Sequence, residues 1–311
     1  MSQYNSYHLQ ESKQKLLIRY FSETQAERQE VVAKLLFVSD YACQHVKDLY
    51  ELLLEDNCQN ALSRKDYFNL VAKTQMALDK PSFNRAVRQF RNRHLLRILL
   101  REQAGLSNTE SSMQAWSDCA DAIILHVLDY CLNSLVPRYG LPQSLSGNPA
   151  RLEVIAMGKL GGGELNYSSD IDLIFFYTDE GCSTGKESIG NQQYFSKAIQ
   201  NFVAIMQIMT KEGFVFRVDL RLRPNGESGP LVVSLTAMET YYQEQGRDWE
   251  RYAMVKARLL RKEPAGYDDM IEHVIKPFVY RRYVDFSVIE SLRSMKAMIA
   301  KEVRLKSLSL D

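Results

Sequence analysis

The sequence predicts an α+β fold, with a small mixed sheet set between a helical N-terminal domain and further helices toward the C-terminal end. Three observations carry that expectation. Residues 1–137 contain almost no glycine or proline and repeat apolar residues at helical spacing. A proline-, glycine- and serine-rich stretch, 138–150, then interrupts the pattern. Beyond it, short apolar runs of strand character alternate with helical stretches, the order expected of a small mixed α/β unit.

In the N-terminal part, Leu16, Leu17, Tyr20 and Phe21 open an apolar stripe. Val31, Val32, Leu35, Leu36 and Val38 continue it, followed by Leu49, Leu52, Leu53 and Leu54. Pro81 marks a break, and Ser82 is placed to cap a helix from Phe83 to about Ala104. A further helix runs from Thr109 to about Val136, where Pro137 stops it. Five or so helices over 1–137 are expected, followed by a linker at 138–150. The helix after Ser82 carries Arg85, Arg88, Arg91, Arg93, Arg97 and Arg101. Such a stripe reads first as a solvated face and second as a contact for an acidic partner.

The sheet domain is expected over 151–235. Leu152 to Met157 is a short strand, and Asp170 to Tyr177 a stronger one whose apolar residues occupy both faces, as in a central strand. A helix follows from about Asn191 to Lys211, then a strand from Phe214 to Leu222, ended before Pro224. Thr236 and Glu239 have the spacing of a capping box. They open a helical extension over 236–311 that includes Tyr241, Trp249, Phe278 and Phe286. Ser294 to Leu308 reads as a helix still in progress, so truncation at the C-terminal end is expected.

Composition narrows the functional classes. With 45% hydrophobic and 25% charged residues the 311-residue chain is of globular type. A net charge of +1 supplies no global field for nucleic acid or a membrane surface. Five scattered cysteines without a C-x-x-C pair argue against a disulfide framework or a zinc site, and fit a reducing compartment. The N-terminus has no apolar signal core. The run from Asp121 to Leu135 is interrupted by His126 and Asp129 and too short to span a bilayer. A cytoplasmic protein is expected.

The chemistry concentrates around two aspartates. Asp170 and Asp172, two apart on a strand, point to the same face. Neighbouring carboxylates at the mouth of a buried strand repel and call for a cation. Oxygen-only ligands favour magnesium or manganese. Twelve residues upstream of Asp170 begins a turn, Gly158-Lys159-Leu160-Gly161-Gly162-Gly163. Its glycines let backbone approach a ligand, and its N–H groups can cradle an anion. Lys159 adds a mobile charge, and Ser168 and Ser169 offer hydroxyls. Strand periodicity places Asp219, Arg221 and Arg223 on one face, a carboxylate beside two guanidinium groups, which suits metal and phosphate together. The charged segment Gly246 to Tyr252 around Trp249, with Lys256 and Arg258 after it, reads equally as a cover for the site or as a helix start.

Gly158-Lys159, ten intervening residues and Asp170-x-Asp172, with a later strand aspartate, resemble the signature of the nucleotidyltransferase fold shared with DNA polymerase beta. More narrowly, MGKLGGGELNYSSDIDLIF, FVFRVDLRLRPNGESGPLV and YYQEQGRDWERYAMVKAR look like the bifunctional glutamine synthetase adenylyltransferase/adenylyl-removing family. Leu165 to Asp170 and Asp248 to Tyr252 are more similar to the first, adenylyl-removing half than to the second. The resemblance implies Asp170, Asp172 and Asp219 as metal ligands and Gly158 and Lys159 as the start of the nucleotide-phosphate loop. It implies Mg2+ or Mn2+ as cofactor, glutamine synthetase as protein substrate, phosphate with ADP or ATP as small substrates, and the PII signal protein as a further partner. Two activities are consistent with it: removal of AMP from a glutamine synthetase tyrosine by phosphorolysis, and transfer of AMP from ATP to that tyrosine. A binding fragment that has lost the chemistry is the third.

Overall fold

The computed structural model describes residues 2–22, 24, 26–55, 58–74, 79–261 and 271–280, with 293, 296 and 297. Phe286 and, apart from Lys296 and Ala297, the helix expected at Ser294 to Leu308 lie outside the described residues. The fold is α+β, and the chain divides into two compact units. The first takes residues 1–130, 163–169 and 202–217. The second takes 131–162, 170–201 and 218–311.

The first unit is helical. Its helices are α1 Ser2–Phe21, α2 Ala26–Val38, α3 Asp40–Gln44, α4 Val46–Glu55, α5 Arg64–Val71 and α6 Lys80–Gln103, with most of α7 Thr109–Tyr139. Phe21, Val32, Leu35, Leu36, Leu49, Leu52, Leu96 and Leu100 form one buried cluster, which accounts for most of the stripes in the sequence, but Val38 and Leu54 are exposed. Helix α6 starts three residues before Phe83, because Pro81 sits in its first turn, where the missing N–H has no partner to lose. Pro137 does not stop α7 but lies inside its last turn. The chain leaves this helix at Gly140, whose φ of +73° suits the left-handed exit. At 31 residues, with a window of mean hydropathy 1.4, α7 is long and apolar enough to cross a membrane. The expectation from Asp121 to Leu135 is corrected on that point. That window is 67% buried, as in the core helix of a globular fold.

The arginines of α6 are the main correction in this unit. Arg88, Arg91, Arg97 and Arg101 are buried rather than solvated. Arg88 donates from Nε to Gly213 O (2.8 Å), from Nη1 to Asn84 O (2.8 Å) and from Nη2 to Ile205 O (2.9 Å) and Ile208 O (2.6 Å). Carbonyls left open at the end of a following helix therefore meet a cation, the favourable sign at that end of a helix dipole. Arg101 likewise donates to Cys58 O and Gln59 O, and Arg97 to Asn60 O. Guanidinium carries five donors in a rigid fork, and carbonyls supply the bonds that make its burial tolerable.

The second unit is built on a five-stranded sheet with path β5-β3-β2-β7 and β6 also on β3. The strands are β2 Leu152–Ala156, β3 Ile171–Tyr177, β5 Val218–Asp219, β6 Val232–Ser234 and β7 Arg258–Leu259. A separate two-stranded ribbon, β1 Pro142–Ser144 with β4 Gly181–Ser183, occupies part of the stretch expected to be a linker. Strand β3 is central: β2 runs antiparallel on one side, and β5 then β6 run parallel on the other. That explains its unbroken apolar run from Leu173 to Tyr177, all buried.

The strand expected over Phe214 to Leu222 is reduced to Val218–Asp219. Val215 and Phe216 are buried in the first unit, where Phe216 packs on Trp116, and Leu220 onward turns. The helix expected from Asn191 to Lys211, α9, ends at Gln207. Residues after 235 share one core with the sheet: Met238, Tyr242, Met254, Leu259 and Phe278 cluster with Ile155, Ile174 and Phe176. The cap of α10 Leu235–Glu244 is Ser234, whose hydroxyl accepts from Ala237 N–H at 3.3 Å, rather than Thr236.

A candidate carboxylate site at the end of the central sheet

The site starts from strand register. Asp172 of β3 and Asp219 of β5 are direct partners in the parallel pair. Neighbouring parallel strands lie about 4.8 Å apart and partners project to the same face, so the two carboxylates stand side by side. Asp170 precedes β3 at the same end and is exposed.

The glycine turn closes over this pair. Met157 N–H donates to Asp172 O at 2.9 Å, and the chain enters the short helix α8 Gly158–Gly161. Gly158 has φ +55°, and a Cβ there would lie 2.6 Å from Asp172 Oδ2. Glycine is thus required twice, for the left-handed backbone and for the carboxylate beside it. Gly161 has a different reason: a Cβ would collide with the carbonyls of Lys256 and Ala156. The N–H groups of Gly161 and Gly162 bond to Met157 O and Gly158 O, so the anion cradle expected along the whole turn does not extend to them. Arg258 braces the turn from behind, donating to Leu160 O (2.9 Å) and Gly161 O (3.2 Å).

The electrostatics are asymmetric. Burial pushes the Asp172 pKa up, and the charges of Asp219 and Asp170 push the same way. Arg221 and Lys159 oppose them without reversing the shift. Asp219 moves down, mainly because Arg221 hydrogen-bonds it. Arg221 grips Asp219 with Nε on Oδ1 (3.0 Å) and Oδ2 (2.9 Å), Nη2 on Oδ2 (2.5 Å), and its own N–H on Oδ1 (2.8 Å). These two residues therefore form a local turn rather than one face of a strand.

The remaining expected residues have the following partners. Arg223 donates to Leu220 O, Glu227 O, Gly229 O and Pro230 O, gathering the loop 224–230 around its guanidinium. Ser168 and Ser169 fall in the 163–169 segment of the first unit, where Ser168 O accepts from Arg217. The segment around Trp249 forms helix α11 Asp248–Ala253, with Glu250 accepting from Arg247 N–H at 2.8 Å and from Tyr241 Oη at 2.8 Å. Arg258 was legible only as part of that charged run. Its bracing role needs β7, a two-residue strand that no periodicity reveals.

Hard, oxygen-only donors and an unfavourable concentration of negative charge fit a divalent cation. Among the described residues, however, no three His, Cys, Asp or Glu side chains stand grouped as ready ligands of one ion. The assembled element is the Asp172–Asp219 pair, with Asp170 contributing charge at the same strand end.

Comparison with known proteins gives the family. The family model described as glutamate-ammonia ligase adenylyltransferase matches residues 26–270. The chain is 45% identical over 278 residues to the bifunctional glutamine synthetase adenylyltransferase/adenylyl-removing enzyme of Shewanella woodyi, covering 88% of this chain and 28% of that protein. It is 44% identical over 294 residues to the protein of the same name from Shewanella frigidimarina, covering 92% and 30%. The chain thus spans less than a third of the length of these curated relatives.

Proposed function

The chain belongs to the glutamate-ammonia ligase adenylyltransferase family, and on that premise we propose that it removes AMP from adenylylated glutamine synthetase by phosphorolysis. The observation that carries this reading is the in-register pair Asp172 and Asp219 under Gly158, whose missing Cβ leaves room for the Asp172 carboxylate. The likeness of the Leu165 to Asp170 and Asp248 to Tyr252 segments to the adenylyl-removing half supports the direction.

Asp172, Asp219 and Asp170 would hold magnesium or manganese, which supplies positive charge for the phosphoryl oxygens and the departing phenolate. The chain's own residues do the rest. Gly158 lets backbone approach the AMP phosphate closely, and Lys159 and Arg221 bring positive charge to an anionic co-substrate. Orthophosphate is the nucleophile, so no side chain need form a covalent intermediate. One of its oxygens bonds to the AMP phosphorus as the bond to the tyrosine oxygen breaks. The tyrosinate takes a proton from solvent, leaving ADP and free tyrosine.

The test is to incubate the 311-residue chain with glutamine synthetase carrying labelled AMP, Mg2+ and orthophosphate. Phosphate-dependent release of labelled ADP, lost in Asp172→Asn, is expected. Label passing from ATP onto unmodified glutamine synthetase would instead assign the forward reaction. Neither reaction, with the fold intact, would reduce the chain to a binding module.

A further inference from the structure

Arg221 and Arg223, two residues apart, hold their guanidinium groups in different ways. Arg223 is fixed by five bonds to four backbone carbonyls. Among the described residues, the Arg221 guanidinium hydrogen-bonds to one group, the Asp219 carboxylate, and its side chain is 70% exposed against 15% for Asp219. Arg223 can leave its place only by stranding carbonyls of a loop. Arg221 can leave its place into water.

Asp219 is correspondingly crowded. A carboxylate offers about four acceptor positions. Arg221 directs three donors at them, its N–H, Nε and Nη2, between 2.5 and 3.0 Å. A divalent cation ligated by Asp219 would compete for those lone pairs and repel the guanidinium from a few ångströms away. Both charges cannot keep the same oxygens.

We infer that Arg221 is an exchangeable cation at Asp219: it gives up the carboxylate when a divalent ion is bound there, and its freed fork then takes the oxygens of the incoming phosphate. This rests on the carboxylate site proposed above and adds an order to it. Cation binding comes first and frees the guanidinium, so phosphate bound without the cation lacks the Arg221 fork. A guanidinium fork matches two phosphate oxygens, whereas an ammonium group would give a single point contact.

Two titrations test the exchange without relying on turnover. Mn2+ binding to the full chain is followed by electron paramagnetic resonance of the free ion, for wild type, Arg221→Gln, Arg221→Lys and Asp219→Asn. Fold integrity is checked by circular dichroism. Arg221→Gln is expected to bind Mn2+ about tenfold more tightly than wild type, with Arg221→Lys between them and Asp219→Asn weakest. Orthophosphate affinity is then compared with and without saturating Mg2+. Wild type is expected to bind phosphate more tightly with Mg2+, and Arg221→Gln is expected to lose most of that gain. Unchanged or weaker Mn2+ binding in Arg221→Gln, with wild type binding and Asp219→Asn not, overturns the exchange and leaves the carboxylate site standing. Absence of Mn2+ binding to wild type overturns both.

Discussion

In the helical unit Arg88 is fully buried, and each nitrogen of its guanidinium donates to a backbone carbonyl. In the sheet unit Asp172 is also drawn away from water, yet Asp219 and Asp170 confront it with like charge and its pKa is pushed up. The first charge organises a fold: it gathers carbonyls from residues 84, 205, 208 and 213, far apart in sequence. The second opposes the fold that holds it. A buried charge with complete bonds is a structural part, whereas clustered like charges carry a cost that a bound cation would relieve. Arg223 and Arg221 repeat the contrast within three residues of chain.

The largest effect that can break this contrast is Asp172→Asn. ADP release is expected to fall by about a thousandfold, as when several kcal/mol of charge stabilisation is removed, while the metal-free protein becomes more stable. The sign follows from the shift. With its pKa above the ordinary 3.8, Asp172 binds a proton more readily in the folded chain, so its contribution to stability falls as pH rises through that window. Asp219, shifted down, behaves oppositely: its stabilisation is present above 3.8 and lost as pH falls through its lowered pKa. Thermal melts of the metal-free variant should therefore gain on wild type from acid toward neutral pH. A variant less stable than wild type at neutral pH would remove the contrast.

Arg88→Met should act the other way. Removing the guanidinium strands four carbonyls, a loss of about 3 kcal/mol or more by urea denaturation, with turnover per folded molecule unchanged. Gly158→Ala is expected to lower activity by roughly a hundredfold, because its Cβ would move the Asp172 carboxylate by a fraction of an ångström to about an ångström. Steady-state kinetics would show that loss, and melting a destabilisation of about 1–2 kcal/mol, because alanine at φ +55° is strained. Smallest is Arg223→Lys, expected to cost about 1–2 kcal/mol of stability through the 224–230 loop and to leave the KM for phosphate unchanged. A raised phosphate KM would return Arg223 to the ligand-binding set.

How far the sequence reaches depends on whether the decisive partner is local. The central position of β3 was legible because a strand covered on both faces needs an unbroken apolar run, and Leu173 to Tyr177 is one. Asp170 and Asp172 could be singled out for the same reason. The stretch Phe214 to Leu222 alternates like a strand, but Val215 is buried in the helical unit, where Phe216 packs on Trp116, and Leu220 onward answers to Arg223. One periodicity thus conceals three environments. The α6 arginines read as a hydrated face because a guanidinium bonded to Gly213, 125 residues away, has no local signature. The bracing role of Arg258 was illegible because β7, at two residues, is too short for any period to register.

The most direct measurement is the thermal shift of the full chain on adding Mn2+, for wild type and Asp172→Asn side by side. A ligand that binds only the folded state raises Tm with its concentration. If Asp172 and Asp219 form a cation site, millimolar Mn2+ should raise the wild-type Tm by a few degrees, about 1 kcal/mol or more, and leave Asp172→Asn nearly unmoved. An equal shift in both proteins would contradict it.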